Sequence, residues 1–314
     1  MAHLSPLKKT RLLVAVGIAV ALGFVLTFVL ARTPPPPPPR ETQPSRSPLV
    51  SPATSQMTAM EFHNRGKAQF NQQDYQGALA DYTQAITLDP HDAAAYNNRG
   101  FTRAVLGDQQ GALVDYTQAI TLDPQYARAY NNRGNVRDVL GDRQGALADY
   151  TRAITLDPQH ADAYNNRGLT RAVLGDQQGA LADYTQAITL EPQHADAYYN
   201  RGNARAALGD RRGALADYTQ AITLNPHDAA AYYSRGNTRF NLKAYKAARA
   251  DYTQAITLEP QHADAYYNRG NARFNLKAYK AALADYRKAA DLYQQQGKIS
   301  DYQDTVNQMN KLPR

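Results

Sequence analysis

Apolar side chains along most of this chain follow the spacing of two short amphipathic helices. One set, Tyr164, Gly168 and Ala172, recurs at four-residue intervals, which places the three residues on one face of a helix. After a short break the second set follows, at Ala180, Tyr184, Ala187 and Ile188. The small residues let the two helix axes approach, and the tyrosines fill the remaining space. This stretch is therefore predicted to fold as a pair of packed helices.

Glycine, aspartate and proline mark the ends of these two helices. Gly175 ends the first, predicted over about 161–174, because glycine readily adopts the left-handed backbone conformation. Asp176 then caps the second helix, predicted over about 177–190, by accepting bonds from its free N–H groups. Pro192 follows, and proline cannot continue the hydrogen-bond ladder of a helix.

This proline is one of a periodic series spaced 34 residues apart, at Pro90, Pro124, Pro158, Pro192, Pro226 and Pro260. A unit repeated at such a period buries its apolar face only against its neighbours, so the series predicts an α-solenoid. Seven units are predicted, over residues 59–92, 93–126, 127–160, 161–194, 195–228, 229–262 and 263–296.

The last segment, residues 297–314, departs from the repeat and is predicted to close the array. Ser300 and Gln303 have the spacing of a capping box for a helix over about 300–311. One face of that helix carries Tyr302, Val306 and Met309. We expect this face to cover the open apolar side of the seventh unit, because a solenoid needs such a lid for solubility.

The order of key residues within each unit resembles the tetratricopeptide repeat. The fourth unit carries that family's pattern as Tyr164, Gly168, Gly175, Ala180, Tyr184, Ala187 and Pro192. The resemblance implies an all-α fold, a right-handed superhelix of helix-turn-helix repeats whose first helices line a concave groove. Three residues depart from the pattern: Lys243 and Lys277 replace the turn glycine, and Gln294 replaces the last proline.

An arginine stands at position 7 of every unit, where the family usually has an apolar residue. The column comprises Arg65, Arg99, Arg133, Arg167, Arg201, Arg235 and Arg269. One interpretation is a track for acidic ligands. The other, which we favour, pairs each arginine with the aspartate that recurs in every second helix, as in Arg167 with Asp183. We expect such pairs to be exposed and to stabilise little.

Under the resemblance, positions 5, 6 and 9 of the first helices face the groove. Position 6 carries Asn64, Asn98, Asn132, Asn166, Asn200 and Asn268, and position 9 adds Asn135, Asn203, Asn237 and Asn271. Position 5 becomes aromatic in the later units, at Tyr199, Tyr233 and Tyr267. An asparagine amide donates and accepts hydrogen bonds, so this ladder is predicted to hold the backbone of an extended peptide. Duplication of near-identical units is the alternative explanation.

The residues before the array are predicted to attach it to a membrane. Residues 1–11 form a basic tail with Lys8, Lys9 and Arg11. Leu12–Ala31 is an uncharged run of 20 residues, long enough to cross a bilayer as a helix. We favour an uncleaved anchor over a cleaved signal peptide, because the run exceeds the usual signal length. Residues 32–58 form a proline-rich linker.

The distribution of charge predicts the orientation of the chain in the membrane and argues against nucleic acid as a partner. The basic tail is expected to stay in the cytoplasm, which places the repeats outside it. Of the net charge of +7, residues 1–58 carry +5, so the remaining 29 basic and 27 acidic residues leave the array nearly neutral. A nearly neutral array is not expected to bind nucleic acid.

No motif in the sequence indicates catalysis. The chain has no cysteine, no phosphate-binding loop and no metalloprotease motif, so no enzymatic activity, cofactor or metal is expected. The leading hypothesis is a membrane-tethered scaffold that binds an extended protein segment and helps to assemble a complex. The alternatives are a substrate-recruiting accessory of an envelope enzyme that modifies glycans or proteins, and a self-associating spacer.

Overall fold

A computed structural model describes residues 57–313, and these fold as a continuous array of antiparallel helix pairs. The first helices of the seven repeats are α1 (Ala59–Asn71), α3 (Ala93–Val105), α5 (Ala127–Val139), α7 (Ala161–Val173), α9 (Ala195–Ala207), α11 (Ala229–Asn241) and α13 (Ala263–Asn275). The second helices are α2 (Tyr75–Leu88), α4 (Gln109–Leu122), α6 (Arg143–Leu156), α8 (Gln177–Leu190), α10 (Arg211–Leu224), α12 (Tyr245–Leu258) and α14 (Tyr279–Gln295). A final helix, α15 (Ile299–Asn310), follows. The prediction of an all-α solenoid is confirmed.

The turn inside each repeat has the chemistry that the sequence predicts. Gly175 adopts φ +93°, a left-handed conformation, between α7 and α8. The side chain of Asp176 accepts a hydrogen bond from the N–H of Gly179 at 2.8 Å and so caps α8. The helix ends at Leu190, two residues before Pro192. Repeats 2 to 5 share this arrangement, whereas Gln73, Lys243 and Lys277 hold the left-handed turn in repeats 1, 6 and 7.

The core lies between neighbouring helices in small clusters of alanine, isoleucine and tyrosine. Ala180 and Tyr184 of α8 pack against Ala204 of the next repeat, and all three are buried. The close approach depends on Gly168, since a Cβ built there would lie 2.7 Å from the ring of Tyr184. Each repeat therefore completes the core of the preceding one, as expected of a solenoid.

The arginine column pairs with buried aspartates, as the favoured interpretation predicts. Arg167 donates to Asp183 through Nη2 and Nε, at 2.7 and 3.0 Å. Asp183 is only 3% exposed, so the expectation of an exposed pair was wrong. A second arginine, Arg171, reaches the same carboxylate at 2.8 Å. Arg167 also donates to Thr151 of the preceding repeat, at 3.3 Å, and therefore links two repeats.

The C-terminal helix covers the seventh repeat, but its start differs from the prediction. Tyr302 of α15 packs against Leu292 and Tyr293 of α14, as expected of a lid. Lys298 occupies the N-cap position without a side-chain bond, so the predicted capping box of Ser300 and Gln303 is wrong. Since α15 begins at Ile299, Ser300 already lies inside the helix.

A capping box does form at the other end of the array. Thr58 and Glu61 exchange side-chain bonds with each other's backbone N–H groups at the start of α1. Among residues 57–313, no helix combines the length and apolar character needed to span a bilayer. The predicted anchor, Leu12–Ala31, and most of the predicted linker lie outside the described residues.

Candidate peptide-binding groove

The position-6 asparagines form a chain of hydrogen bonds that crosses from repeat to repeat. Nδ2 of each donates to the position-5 side chain of the preceding repeat. The pairs are Asn132 to Asn97 at 3.1 Å, Asn166 to Asn131 at 3.2 Å and Asn200 to Asn165 at 3.0 Å. The position-5 partners are buried, while the position-6 residues are half-buried. We call this arrangement the asparagine ladder.

Both ends of the ladder use other side chains. Near the start, Asn98 Nδ2 lies 2.9 Å from Nε2 of His63, whose Nδ1 lies 2.8 Å from Asp92. The Nδ2 group of Asn98 can only donate, so this contact pairs with the tautomer of His63 in which Nε2 accepts and Nδ1 donates to Asp92. In the last repeat, Asn268 donates to the hydroxyl of Tyr233 at 2.9 Å and to Asn237 Oδ1 at 3.1 Å. Asn64, which has no repeat before it, is exposed.

The ladder leaves part of each amide for another molecule. A single amide N–H of Asn132, Asn166 and Asn200 points into the preceding repeat. The second N–H and the carbonyl oxygen take no part in that bond, and they are the groups that pair with a peptide backbone. The ladder thus has a structural role between repeats and retains the capacity for the role predicted from the sequence.

The position-9 asparagines are oriented by buried tyrosines of the second helices. Oδ1 of each accepts a bond from a tyrosine hydroxyl in its own repeat. The distances are 2.8 Å for Asn135 and Tyr150, 2.7 Å for Asn203 and Tyr218, 2.9 Å for Asn237 and Tyr252, and 2.9 Å for Asn271 and Tyr286. Because the hydroxyl fixes the carbonyl side of each amide, the NH2 side is turned away from the second helix.

The position-5 tyrosines add aromatic contacts within the later repeats. Tyr199, Tyr233 and Tyr267 pack at tilted angles against the buried tyrosines of their own second helices, with ring centroids 5.9, 6.0 and 5.8 Å apart. Burial raises the pKa of Tyr199 and of Tyr233, so both hydroxyls stay protonated at neutral pH. The ring of Tyr233 also stacks on His262 at 4.7 Å.

A cavity of about 980 Å³ opens along the ladder in repeats 2 to 4. Its wall includes the amides of Asn98 and Asn132, together with Phe101 and Arg128. Phe101 stands at position 9, where repeats 3, 5, 6 and 7 have asparagine, and it is 46% exposed. It was not among the site residues predicted from the sequence, although an aromatic side chain at a position that is asparagine in four repeats was an available signal. We call this cavity the groove pocket.

Acidic side chains predominate at the edge of the groove pocket. Asp157 and Glu191 line it from the loops between repeats and Asp162 from the first turn of α7, against one arginine, Arg128. His194 Nε2 lies 3.4 Å from Asp162 Oδ1, and this proximity lowers the pKa of the Asp162 carboxyl and raises that of His194. In the part of the chain that the structure describes, no group of three or more acidic or histidine side chains is placed to hold a metal ion.

Sequence comparison identifies the repeated unit. Models of the tetratricopeptide repeat match residues 127–160 and 195–228, and related repeat models match 66–107, 105–137, 171–209, 236–277 and 263–296. The chain belongs to the tetratricopeptide repeat family. A search of curated proteins found no match.

Solved tetratricopeptide repeat structures share the fold. Pseudomonas aeruginosa pilF is 18% identical, with a TM-score of 0.62, over 69% of this chain and 97% of that chain. A tetratricopeptide repeat protein from Parabacteroides merdae is 21% identical, with a TM-score of 0.58, over 79% of this chain and 98% of that one. The Cut9-Hcn1 hetero-tetramer of APC/C gives 16% identity and a TM-score of 0.62 over 80% of this chain and 52% of that one. At these identities the likeness concerns the fold alone.

Proposed function

We propose that this tetratricopeptide repeat protein is a non-catalytic, membrane-tethered scaffold that binds an extended segment of another protein along the asparagine ladder. The observation that carries the proposal is the groove pocket, which is bordered by the consecutive ladder residues Asn98 and Asn132. An extended backbone exposes N–H and C=O groups in alternation. Asn132 has a free N–H and a free carbonyl to satisfy one of each, whereas Asn98, whose Oδ1 accepts from Asn97 at 3.3 Å, offers its second N–H.

The pocket wall favours a particular kind of segment. Asp157, Asp162 and Glu191 attract basic side chains, while Arg128 accepts one acidic group. The exposed ring of Phe101 offers an apolar contact. We therefore expect a segment that carries lysine or arginine beside an apolar residue.

The attachment to a membrane is part of the same proposal. The sequence of Leu12–Ala31 supports an anchor, and the basic residues before it favour a cytoplasmic N-terminus with the repeats outside the cytoplasm. The linker between anchor and array would allow the groove to reach a partner held at the same membrane.

Photocrosslinking in native membranes tests the groove. Phe101 is replaced by the photoreactive analogue p-benzoylphenylalanine, at a side chain that is 46% exposed and so leaves room for the added benzoyl group. The control places the same analogue at Val114, a residue of α4 that is 65% exposed and lies outside the groove pocket. We expect a discrete protein adduct at position 101 and none at position 114.

Adding Asn132→Ala to the position-101 probe should weaken the adduct while the helical circular dichroism stays unchanged. Equal adducts at both positions, or none at position 101, would contradict groove binding. An adduct formed with a second copy of this chain would instead indicate self-association. An adduct with a glycan- or protein-modifying enzyme would identify the scaffold as its accessory.

A further inference from the structure

The turns inside the repeats change their chemistry between the two halves of the array. At positions 15, 16 and 18, repeats 2 and 4 have glycine, aspartate and glutamine, as in Gly175, Asp176 and Gln178. Repeats 6 and 7 have lysine, alanine and lysine at the same positions, namely Lys243, Ala244 and Lys246, then Lys277, Ala278 and Lys280. Each of these two turns therefore has two more positive charges and one fewer negative charge than its counterpart.

This change is unfavourable for local stability. Lys243 and Lys277 adopt φ +61° and +60°, a left-handed conformation that glycine adopts with less strain. Ala244 and Ala278 leave α12 and α14 without the side-chain cap that aspartate supplies in repeats 1 to 5. Departures from local stability rules at a surface turn are typical of functional positions.

The cations of these turns form one exposed surface, which we call the basic edge. It comprises Arg211, Arg212, Lys243, Lys246, Arg249, Lys277 and Lys280, and all seven side chains are exposed. Of these seven, Arg249 lies close enough to Arg273 of the next repeat to act on it: burial lowers the pKa of the Arg273 guanidinium, Asp285 opposes this, and the charges of Arg269 and Arg249 lower it further. The one carboxylate at a helix cap along this edge is Asp210, which caps α10.

Charge is separated across the width of the array. The first helices run from the loops between repeats to the turns inside repeats, so loops and turns lie at opposite ends of the helices. The loops carry acidic residues, among them Asp157, Glu191 and Glu259, whereas the turns of repeats 5 to 7 carry the basic edge. An anionic surface would attract one end of these helices and repel the other, which fixes how the array approaches it.

We propose that the basic edge of repeats 5 to 7 docks on the anionic headgroups of a lipid bilayer, so that the array is held to the membrane at both ends. The predicted anchor precedes repeat 1, and the basic edge lies at the far end of the array. This inference rests on the proposed anchor, which would keep a bilayer within reach. A surface of lysine and arginine is attracted to a bilayer leaflet that contains anionic lipid, and the attraction falls off within about one Debye length.

A flat lipid surface suits this edge better than the other polyanions. The cations project from turns and do not line a groove that could enclose a strand of nucleic acid or an acidic peptide. The residues after 58 carry a net charge of only about +2, so a long polyanion would also meet the acidic loops. A bilayer would meet only the end of the helices that faces it.

The absence of cysteine allows a direct test with the full chain in vesicles. An environment-sensitive fluorophore is attached at Leu242→Cys, beside Lys243, and in a second variant at Leu140→Cys. The two leucines occupy the same position of repeats 6 and 3 and are 43% and 41% exposed. Quenching by lipids labelled at the headgroup is compared in phosphatidylcholine vesicles with and without phosphatidylglycerol.

We expect several-fold greater quenching at position 242 than at position 140 in the anionic vesicles, and equal quenching in the neutral ones. High salt should abolish the difference. The variant Lys243→Gly, Lys246→Gln, Lys277→Gly, Lys280→Gln should also abolish it. That variant restores residues that repeats 2 and 4 already use, so the fold is expected to persist.

Equal quenching at both positions in anionic vesicles, or quenching that the fourfold variant leaves unchanged, would overturn the proposal. Binding of polyglutamate or single-stranded RNA that depends on these lysines, without lipid quenching, would assign the edge to another partner and also overturn it. The proposed anchor is tested separately by flotation: if residues 12–31 do not anchor the protein, it will not float with neutral vesicles. The groove is tested independently by the probe at position 101.

Discussion

At the scale of single residues, the fold depends on small side chains at helix contacts and on charges that are buried with their partners. Gly168 shows the first requirement, because the ring of Tyr184 occupies the space where a Cβ would lie. Asp183 shows the second, since two arginines share its carboxylate.

Gly168→Ala should destabilise the array by about 1–3 kcal/mol, through overpacking against Tyr184. Glycine to alanine in an exposed helix would instead stabilise by about 1 kcal/mol. The sign of the change in a urea denaturation midpoint therefore decides which effect dominates. The control, Gln178→Ala on the exposed side of α8, should leave the midpoint nearly unchanged. A raised midpoint for Gly168→Ala would contradict the close helix contact.

Asp183→Asn should cost about 3–5 kcal/mol, because it leaves two partly buried guanidinium groups without their shared carboxylate. Loss of an exposed pair would cost about 0–1 kcal/mol. Denaturation of this variant beside Asp176→Ala gives the comparison, since Asp176→Ala removes a helix cap worth about 1 kcal/mol and only a long, exposed ion pair with Arg171 at 3.8 Å. Similar losses in the two variants would show that Asp183 contributes no more than a surface charge.

His194 and His262 occupy the same position of repeats 4 and 6, and their pKa values should be shifted in opposite directions from that of a free histidine. The nearby Asp162 raises the pKa of His194, whereas burial lowers that of His262 despite Asp264 and Glu259. His262 Nδ1 also accepts a bond from the N–H of Ala265 at 3.3 Å, and protonation of this nitrogen would break it.

Nuclear magnetic resonance titration of each histidine, assigned by substitution, measures both shifts. With a raised folded pKa, the contribution of His194 to stability is present below the unfolded pKa and is lost as pH rises through the folded value. His262, with a lowered folded pKa, loses stability as pH falls through its unfolded value. Identical titration of the two residues would contradict both environments.

At the scale of the helix and its turn, repeats 6 and 7 have weaker turns than repeats 2 to 5. Their left-handed positions are lysines, and their second helices begin without a side-chain cap. Turns of both kinds therefore occur in one chain, and the stability of a lysine turn can be compared directly with that of a glycine turn.

Lys243→Gly should stabilise the array by about 0.5–1 kcal/mol, because glycine reaches φ +61° without strain from a side chain. The matched reverse change, Gly175→Lys in repeat 4, should destabilise it by a similar amount. Thermal melting of the two variants beside the parent protein measures both effects. A loss of stability in Lys243→Gly would mean that the lysine makes a stabilising contact that outweighs the strain.

At the scale of the whole molecule, each repeat packs mainly against its two neighbours. Inter-repeat bonds such as Asn166 to Asn131 and Arg167 to Thr151 recur along the array with nearly the same geometry. Stability is then approximately a sum over repeats and their interfaces.

Deletion of residues 161–194, one whole repeat, should leave a folded array with unchanged helicity per residue and a lower denaturation midpoint. The new junction joins repeat 3 to repeat 5 and restores the ladder bond, since Asn200 can donate to Asn131. Circular dichroism with urea denaturation measures both quantities. The control deletion of residues 161–176, which removes one helix and its turn, should unfold the flanking repeats.

Periodicity made most of the fold predictable from the sequence. The repeat boundaries, the left-handed Gly175 and the cap by Asp176 follow from local chemistry that recurs in register. The wrong capping box at Ser300 lay outside the repeats, where one short motif had no second copy to support it. The second arginine on Asp183 depends on the angle between two packed helices, which sequence spacing alone does not specify.

The candidate site was predicted only in part, for a similar reason. The recurrence of asparagine at positions 6 and 9 could be read from the sequence. The hydrogen bond from position 6 to position 5 of the preceding repeat could not, since it joins residues 35 apart. Such a contact depends on how neighbouring repeats are stacked. The groove itself stays a prediction until a ligand is found.

Because the bonds between neighbouring repeats are nearly identical, the number of repeats can change without a change in how the repeats pack. Unequal recombination between the nearly identical coding units of repeats 2 to 5 would remove or add 34 residues at a time, and each junction so created would repeat the Asn-to-Asn bond that these repeats already make. Copy number can therefore drift in whole units without a new interface having to evolve. Selection can lengthen or shorten the asparagine ladder, and with it the reach of the tethered array, while the terminal lid and the basic edge stay unchanged.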